Sequence, residues 1–176
     1  MAFWEPDRYF ARITRINVER DLLACGLRFA LLDIDNTILT RDTRELPRDV
    51  GLWLAQARDA GVTLCLLSNN WHDEVKAFAA RLELPLVAKA MKPLPPGYLA
   101  AVRKVDGVRD QTVVIGDQLS TDVIGAHAVG MKAYLVAPLV EHDLRHTVML
   151  RKFERALLGN RVPEGALEMS ADCQEN

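Results

Sequence analysis

Cysteine is scarce and scattered: Cys25, Cys65 and Cys173 are odd in number, far apart, and accompanied by no CxxC or paired-histidine spacing. Nothing here has the ligand pattern of a zinc site. Cys25 and Cys65 read as small core residues and Cys173 as a tail thiol. Long apolar runs are missing too. The strongest, Val62 to Leu67, has only the length of a strand, whereas crossing a bilayer takes roughly 18–20 residues, so no membrane span is expected. The opening MAFWEPDRYF places Glu5 and Asp7 where a secretory leader would carry positive charge followed by an apolar stretch, and a cytoplasmic location is expected. Nor is there an excess of one charge. Against 24 acidic side chains stand 22 basic ones, a net −2 with a pI near 6.1. That gives no electrostatic ground for a nucleic-acid partner.

What is present is an ordinary globular composition, 49% hydrophobic over 176 residues, the size of one domain. Arg28 to Asp33 is a short apolar run ending abruptly in acids, the pattern of a strand buried on both faces. Pro47 opens a helix in which Val50, Trp53, Leu54 and Ala57 recur at helical spacing until Gly61, and VTLCLL follows as a second strand. Val75, Phe78, Ala79 and Leu82 form the apolar stripe of a second helix, ended by Pro85. Leu86 to Ala88 is a short third strand, Leu99, Val102 and Val105 mark a further helix, and Thr112 to Ile115 is a fourth strand. A helix over Thr121 to Val129, a break at Gly130 and a fifth strand at Ala133 to Val136 complete the series. Repeated alternation of strand and helix requires right-handed crossovers. The predicted fold is therefore α/β: a three-layer, doubly wound, Rossmann-like sheet, mostly parallel.

Two segments flank this core. Residues 1–27 mix arginines with Phe10, Ile13, Ile16, Leu22 and Leu23 and are expected to pack on the domain of residues 28–160; residues 161–176 read as a polar, partly disordered tail. Within the domain's last stretch, Leu150, Phe153 and Leu157 make a helical stripe surrounded by Arg145, Arg151, Lys152 and Arg155. It suits either a docking helix with a solvated basic face or peripheral contact with anionic lipid headgroups.

In an open parallel sheet, ligands bind beyond the carboxyl ends of the strands. The first predicted strand ends in Asp33-Ile34-Asp35-Asn36-Thr37, the second in Ser68-Asn69-Asn70, the fourth in Gly116-Asp117 followed by Asp122, and Lys92-Pro93 lies in the intervening loop. All of these point to one edge. Asp33 and Asp35, two apart, would project from the same side if the strand geometry continued, and a hard cation would offset their repulsion. Asp33, Asp117 and Asp122 with a bound phosphate, Asp35 being protonated, carry about −5, which Lys92 lowers only to about −4. A divalent ion such as Mg2+ is expected to bring it to about −2. Trp53, His72 and His127 read as packing or capping residues, while Asn70 and Gln118 suit equally the orienting of water or substrate and hydrogen bonds to the loop backbone, and stand outside the catalytic set.

This set of motifs resembles the haloacid dehalogenase (HAD) superfamily of aspartate-nucleophile phosphatases. DIDNT at 33–37 matches the first motif, DxDx[TV]; Ser68 resembles the second, Lys92 the third, and GDQLSTD at 116–122 the acidic fourth. The strings LLDIDNTI, SNN, AMKP and GDQLSTDVIGAHAVG look most like the YqeG-type, subclass IIIA group. That group is related to phosphatidylglycerophosphate phosphatases. The resemblance implies a magnesium-dependent phosphomonoester hydrolase in which Asp33 attacks phosphorus to form an aspartyl-phosphate and Asp35 serves as acid, then base. It further implies that Asp33, the main-chain carbonyl of Asp35, Asp117 and Asp122 hold the metal, Asp122 directly or as support. Ser68, main-chain amides near Asn36 and Asn69, and Lys92 would cradle phosphate. Nine residues, Ile38 to Leu46, separate Thr37 from Pro47, too few for an inserted cap domain. An uncapped site implies a bulky phosphorylated substrate, such as a phospholipid precursor, or a homo-oligomer that covers it. The competing reading is a non-catalytic HAD-fold binding or assembly protein, against which the intact Asp35 argues.

Overall fold

The computed structural model describes residues 2–140, 157–159 and 161–166. The basic stripe around Leu150 and Phe153 lies outside the described residues, as do Cys173 and the rest of the tail beyond residue 166.

Six strands, β1 (Arg8–Phe10), β2 (Phe29–Leu32), β3 (Thr63–Leu67), β4 (Leu86–Val87), β5 (Thr112–Gly116) and β6 (Lys132–Val136), form one sheet in the order β1-β6-β5-β2-β3-β4. Every pairing is parallel. The chain crosses between strands through α1 (Arg48–Asp59), α2 (Asp73–Arg81), α3 (Pro95–Lys104) and the short α4 (Ile124–Ala128). The predicted doubly wound α/β architecture is the observed one.

The strands read as continuous apolar runs because both faces are covered. Alternate residues feed opposite layers. Ala30, Leu32, Leu64, Leu66, Val113 and Ile115 point into a cluster with Val50, Trp53, Leu54 and Ala57 of α1 and Val75, Phe78 and Ala79 of α2. Leu31, Cys65, Leu67 and Val114 point the other way, to Tyr98, Ala101 and Val102 of α3 and Ala126 of α4. Each large aliphatic side chain buried in either layer contributes about 1.5–3 kcal/mol, which is what clamps helices of so few turns to the sheet. Trp53 is a core residue, its indole Nε1 donating to the Ile16 carbonyl at 2.8 Å.

Three features differ from the sequence reading. The N-terminal segment contributes an edge strand, β1, paired with β6 through Arg8↔Tyr134 and Phe10↔Val136. Cys25, expected in the core, is exposed on the turn before Gly26, whereas Cys65 is buried as expected. The helix predicted over Thr121 to Val129 is split, with a π-helical turn over Leu119–Val123 preceding α4. A turn of this kind inserts a residue and re-aims its side chains, and it sets the direction of Asp122.

Candidate active site

The carboxyl ends of β2, β3 and β5 are adjacent, so the residues that follow them share one edge. Asp33 is still tied into the sheet, its amide donating to the Ile115 carbonyl at 2.9 Å, and Ser68 is held likewise through Val87 at 3.0 Å. Asp117 follows the last residue of β5 directly. Asp33, Ser68, Lys92, Asp117 and Asp122 are all buried. Ionisable side chains are almost never fully buried unless paired.

Here the pairing is explicit. Lys92 Nζ donates to Asp33 Oδ1 at 2.5 Å and to Asp122 Oδ1 at 2.7 Å. The second Asp122 oxygen accepts the Gln118 amide at 3.1 Å, while Thr37 Oγ1 stands 3.4 Å from Asp33 Oδ2. Burial pushes Asp33 up to about 6, against the lowering effect of Lys92; Asp122 raises it further. For Lys92 burial works against the charge, but the carboxylates of Asp122 and Asp33 overcome it and hold the ammonium well above the ordinary lysine range. The group is therefore a charged triad with one cation between two acids.

Carboxylate oxygens of Asp33, Asp117 and Asp122 lie within 4.8 Å of one another. Three hard oxygen donors on a rigid sheet edge suit a hard divalent cation rather than a soft one. The Asp35 carboxylate is not part of this cluster. It turns to Arg44, whose Nη1 donates to its Oδ1 at 2.8 Å, so the two acids of the DxD triplet face different surroundings. The chain reverses immediately beyond them: Asn36 has φ 66°, its amide donates to the Leu39 carbonyl at 2.7 Å, and the Ile38 and Leu39 amides both return to Ile34.

The second and third motif segments are laced together. Asn69 Oδ1 accepts the Lys92 amide at 2.6 Å and its Nδ2 donates to the Lys92 carbonyl at 3.1 Å. The exposed Asn69 side chain thus places Lys92 through both its oxygen and its nitrogen. Ser68 Oγ accepts the Asn70 amide at 3.1 Å, and Asn70 Oδ1 accepts the His72 amide at 2.9 Å. His127 bonds the Phe3 carbonyl and Asp7, holding the N-terminal segment to the domain.

Some contributors carry no mark in the sequence pattern. Arg44 lies in the loop between Thr37 and α1, where no periodicity or motif selects it. Tyr98 Oη donates to the Thr121 carbonyl in the π-helical turn and fills the space left by Gly125, where a Cβ would stand 2.0 Å from that hydroxyl. The one clue to this packing in the sequence is Gly125 itself, three residues beyond the GDxxxxD segment.

Comparison with known proteins agrees with the geometry. The HAD-hydrolase-like family profile matches residues 90–148. The chain is 31% identical over 166 residues to the probable phosphatase YqeG of Bacillus subtilis strain 168, covering 94% of this chain and 96% of that protein. Among solved structures it resembles NagD from Escherichia coli K-12, with TM-score 0.57, 12% identity and coverage of 78% of this chain and 94% of that one. It also resembles the cobalt-bound deoxy-D-mannose-octulosonate 8-phosphate phosphatase of Haemophilus influenzae, with TM-score 0.51, 16% identity and coverage of 76% and 85%. At these identities the structural likenesses speak for the fold, and the full-length match to the Bacillus protein speaks for the family. The chain belongs to the HAD superfamily of phosphatases and is a phosphoric monoester hydrolase.

Proposed function

We propose that this phosphatase works through an aspartyl-phosphate on Asp33, with Asp35 as acid and then base, and that its substrate is a bulky phosphomonoester of the phospholipid-precursor class, such as phosphatidylglycerophosphate, handled in the cytoplasm. The observation that carries this reading is the division between the two acids of the DxD triplet. Asp33 is buried against Lys92 in the acid cluster, while Asp35, part-exposed, faces Arg44 outside it. Two carboxyls two residues apart in different environments are suited to two different roles.

On this reading Asp33 attacks phosphorus, the leaving oxygen takes its proton from Asp35, and Asp35 then removes a proton from the water that cleaves the acyl phosphate. Lys92 balances charge on the transferring oxygens, and the Ser68 hydroxyl with nearby main-chain amides completes the cradle. Asp33, Asp117, Asp122 and the main-chain carbonyl of Asp35 would hold a magnesium ion, which supplies charge neutralisation of the phosphoryl group when bound. Support comes from the donor chemistry of the three acids and from the cobalt-bound state of a phosphatase sharing the fold. The substrate class is supported by the short segment between Thr37 and α1, which makes only a tight turn and, among the described residues, puts no cap domain over the site.

The test is phosphate release from p-nitrophenyl phosphate, phosphatidylglycerophosphate, nucleotides and phosphopeptides, with magnesium or a chelator, for wild type and Asp33→Asn. Expected are magnesium-dependent turnover, highest kcat/KM on the lipid phosphate, and a loss of at least about 100-fold in the variant. Wild-type rates in Asp33→Asn would refute the covalent route, and a nucleotide or peptide preferred over the lipid would refute the substrate class.

A further inference from the structure

The loop after the DxD triplet is more ordered than its length suggests. Thr40 and Glu45 pair across it, the Thr40 amide donating to the Glu45 carbonyl at 3.0 Å, and the Arg44 amide donates to the Thr40 carbonyl at 3.0 Å. The hydroxyls of Thr40 and Thr43 meet at 2.7 Å, and the Glu45 amide donates to Thr40 Oγ1 at 3.1 Å. At the end of this turn Arg44 adopts φ 55°, a left-handed conformation that is uncommon for a residue with a long side chain. The result is a guanidinium aimed at the catalytic edge. Its Nη1 binds Asp35 Oδ1 at 2.8 Å, and its Nε lies 3.8 Å from Glu74 Oε2 at the start of α2. Arg44 also lines a groove of about 540 Å³ between this turn and α2, together with Leu39, Thr43, Glu74, Phe78 and Arg81. It stands between that groove and Asp35.

We infer that Arg44 is the positioning residue of the acid–base step, and this rests on the assignment of Asp35 as acid and base. With Oδ1 held by the guanidinium, Asp35 Oδ2 is left to carry the transferring proton. In the first half-reaction the bond from Asp33 to phosphorus forms as the bond to the leaving oxygen breaks. That oxygen keeps the electron pair and takes the Oδ2 proton, and the carboxylate so produced forms beside a fixed positive charge. In the second, the same oxygen accepts a proton from water as the water oxygen bonds phosphorus and the Asp33 oxygen departs. Arg44 touches neither phosphorus nor the leaving group in this account. Its effect reaches the reaction only through Asp35, so it scales with how much the leaving oxygen needs a proton.

An ion pair between part-exposed groups contributes little to folding, so Arg44→Ala should remain folded. The experiment measures kcat/KM, which reports the steps through leaving-group expulsion, for wild type, Arg44→Ala, Arg44→Lys, Asp35→Asn and the double variant, on aryl and alkyl phosphates of increasing leaving-group pKa. Expected in Arg44→Ala is a loss of roughly 30-fold or more on alkyl phosphates but under about threefold on 4-nitrophenyl phosphate, whose leaving group needs no proton. Arg44→Lys should recover part of the loss, and adding Arg44→Ala to Asp35→Asn should cost nothing more. An equal loss on every leaving group, no loss on any, or a further drop in the double variant would overturn the positioning role while leaving Asp35 in place. If Asp35→Asn itself shows no leaving-group dependence, the acid–base assignment fails and the role of Arg44 falls with it.

Discussion

Gly116 and Asp122 pack so closely that a Cβ on Gly116 would stand 2.2 Å from the Asp122 carboxyl carbon and 2.3 Å from its Oδ2. The contact joins the end of β5 to the π-helical turn that follows it. A hydrogen is the only substituent that lets the Asp122 carboxylate lie over the strand end, with Lys92 on one oxygen and the Gln118 amide on the other.

Gly116→Ala should therefore displace Asp122 rather than be absorbed elsewhere. Overpacking of this sort costs about 1–3 kcal/mol, and the lost partner leaves Lys92 with Asp33 alone. The expected outcome is a lowered melting temperature together with a loss of phosphatase activity of at least about tenfold, larger than the loss of stability explains. A variant with a wild-type melting curve and wild-type kcat/KM would show that the contact does not fix Asp122.

Asp33 gives a pH dependence with a definite sign. Its pKa is raised by burial to about 6, above the 3.8 of a free side chain, so the folded state binds the proton more tightly than the unfolded one. The stabilisation from that proton is complete below about 4 and disappears as the pH rises through about 6. A cation bound to the same carboxylate competes with the proton. Magnesium affinity should fall about tenfold per pH unit below about 6, with close to one proton released per ion bound near pH 5 and almost none at pH 7.5. Calorimetric titrations in buffers of different ionisation enthalpy measure this directly. Asp33→Asn should abolish the proton release, and release unchanged by that substitution would place the competing proton on another group.

Much of the fold was legible because β2, β3 and β5 are apolar runs that stop at polar residues, and a central parallel strand covered on both faces leaves that trace. The same stops marked Asp33, Ser68 and Asp117, since the residue after a buried strand is where the sheet meets solvent. Lys92 and Asp122 were visible through their motif spacing, although only the folded chain brings their side chains within 2.7 Å. β1 left no such trace. Its three residues, Arg8, Tyr9 and Phe10, have no alternation to read, and they are held by partners far away in the chain, Tyr134 and Glu164. The π-helical turn was hidden because an inserted residue shifts the helical phase without changing composition. Arg44 was hidden for a third reason: its reach to Asp35 depends on a left-handed backbone that no residue type in the loop announces.

The attachment of β1 gives the remaining prediction. Asp21 is buried, and burial alone would raise its pKa; hydrogen bonds from Arg20 and Arg8 and from the Asn17 amide outweigh this and hold it at about 2. Its carboxylate receives Arg8 Nη1 at 2.6 Å, Arg20 Nε at 2.7 Å and the Asn17 amide at 2.8 Å, while its carbonyl accepts the Tyr134 hydroxyl at 2.8 Å. A depressed acid stabilises the fold in its charged form, so the contribution is complete above about 4 and is lost as the pH falls towards 2. The shift corresponds to roughly 2 kcal/mol. Asp21→Asn should cost about that much at pH 7 and progressively less towards pH 2, where the two proteins should unfold at the same denaturant concentration. Because Asp21 bonds Arg8, Arg20, Asn17 and Tyr134 rather than a motif residue, and fastens the N-terminal segment to β6, kcat/KM at neutral pH should stay within about twofold of wild type while the folded fraction is near one. Denaturant melts at a series of pH values decide the matter: a stability difference that stays constant from pH 7 down to pH 2 would mean that the arginines bind Asp21 by packing rather than by charge.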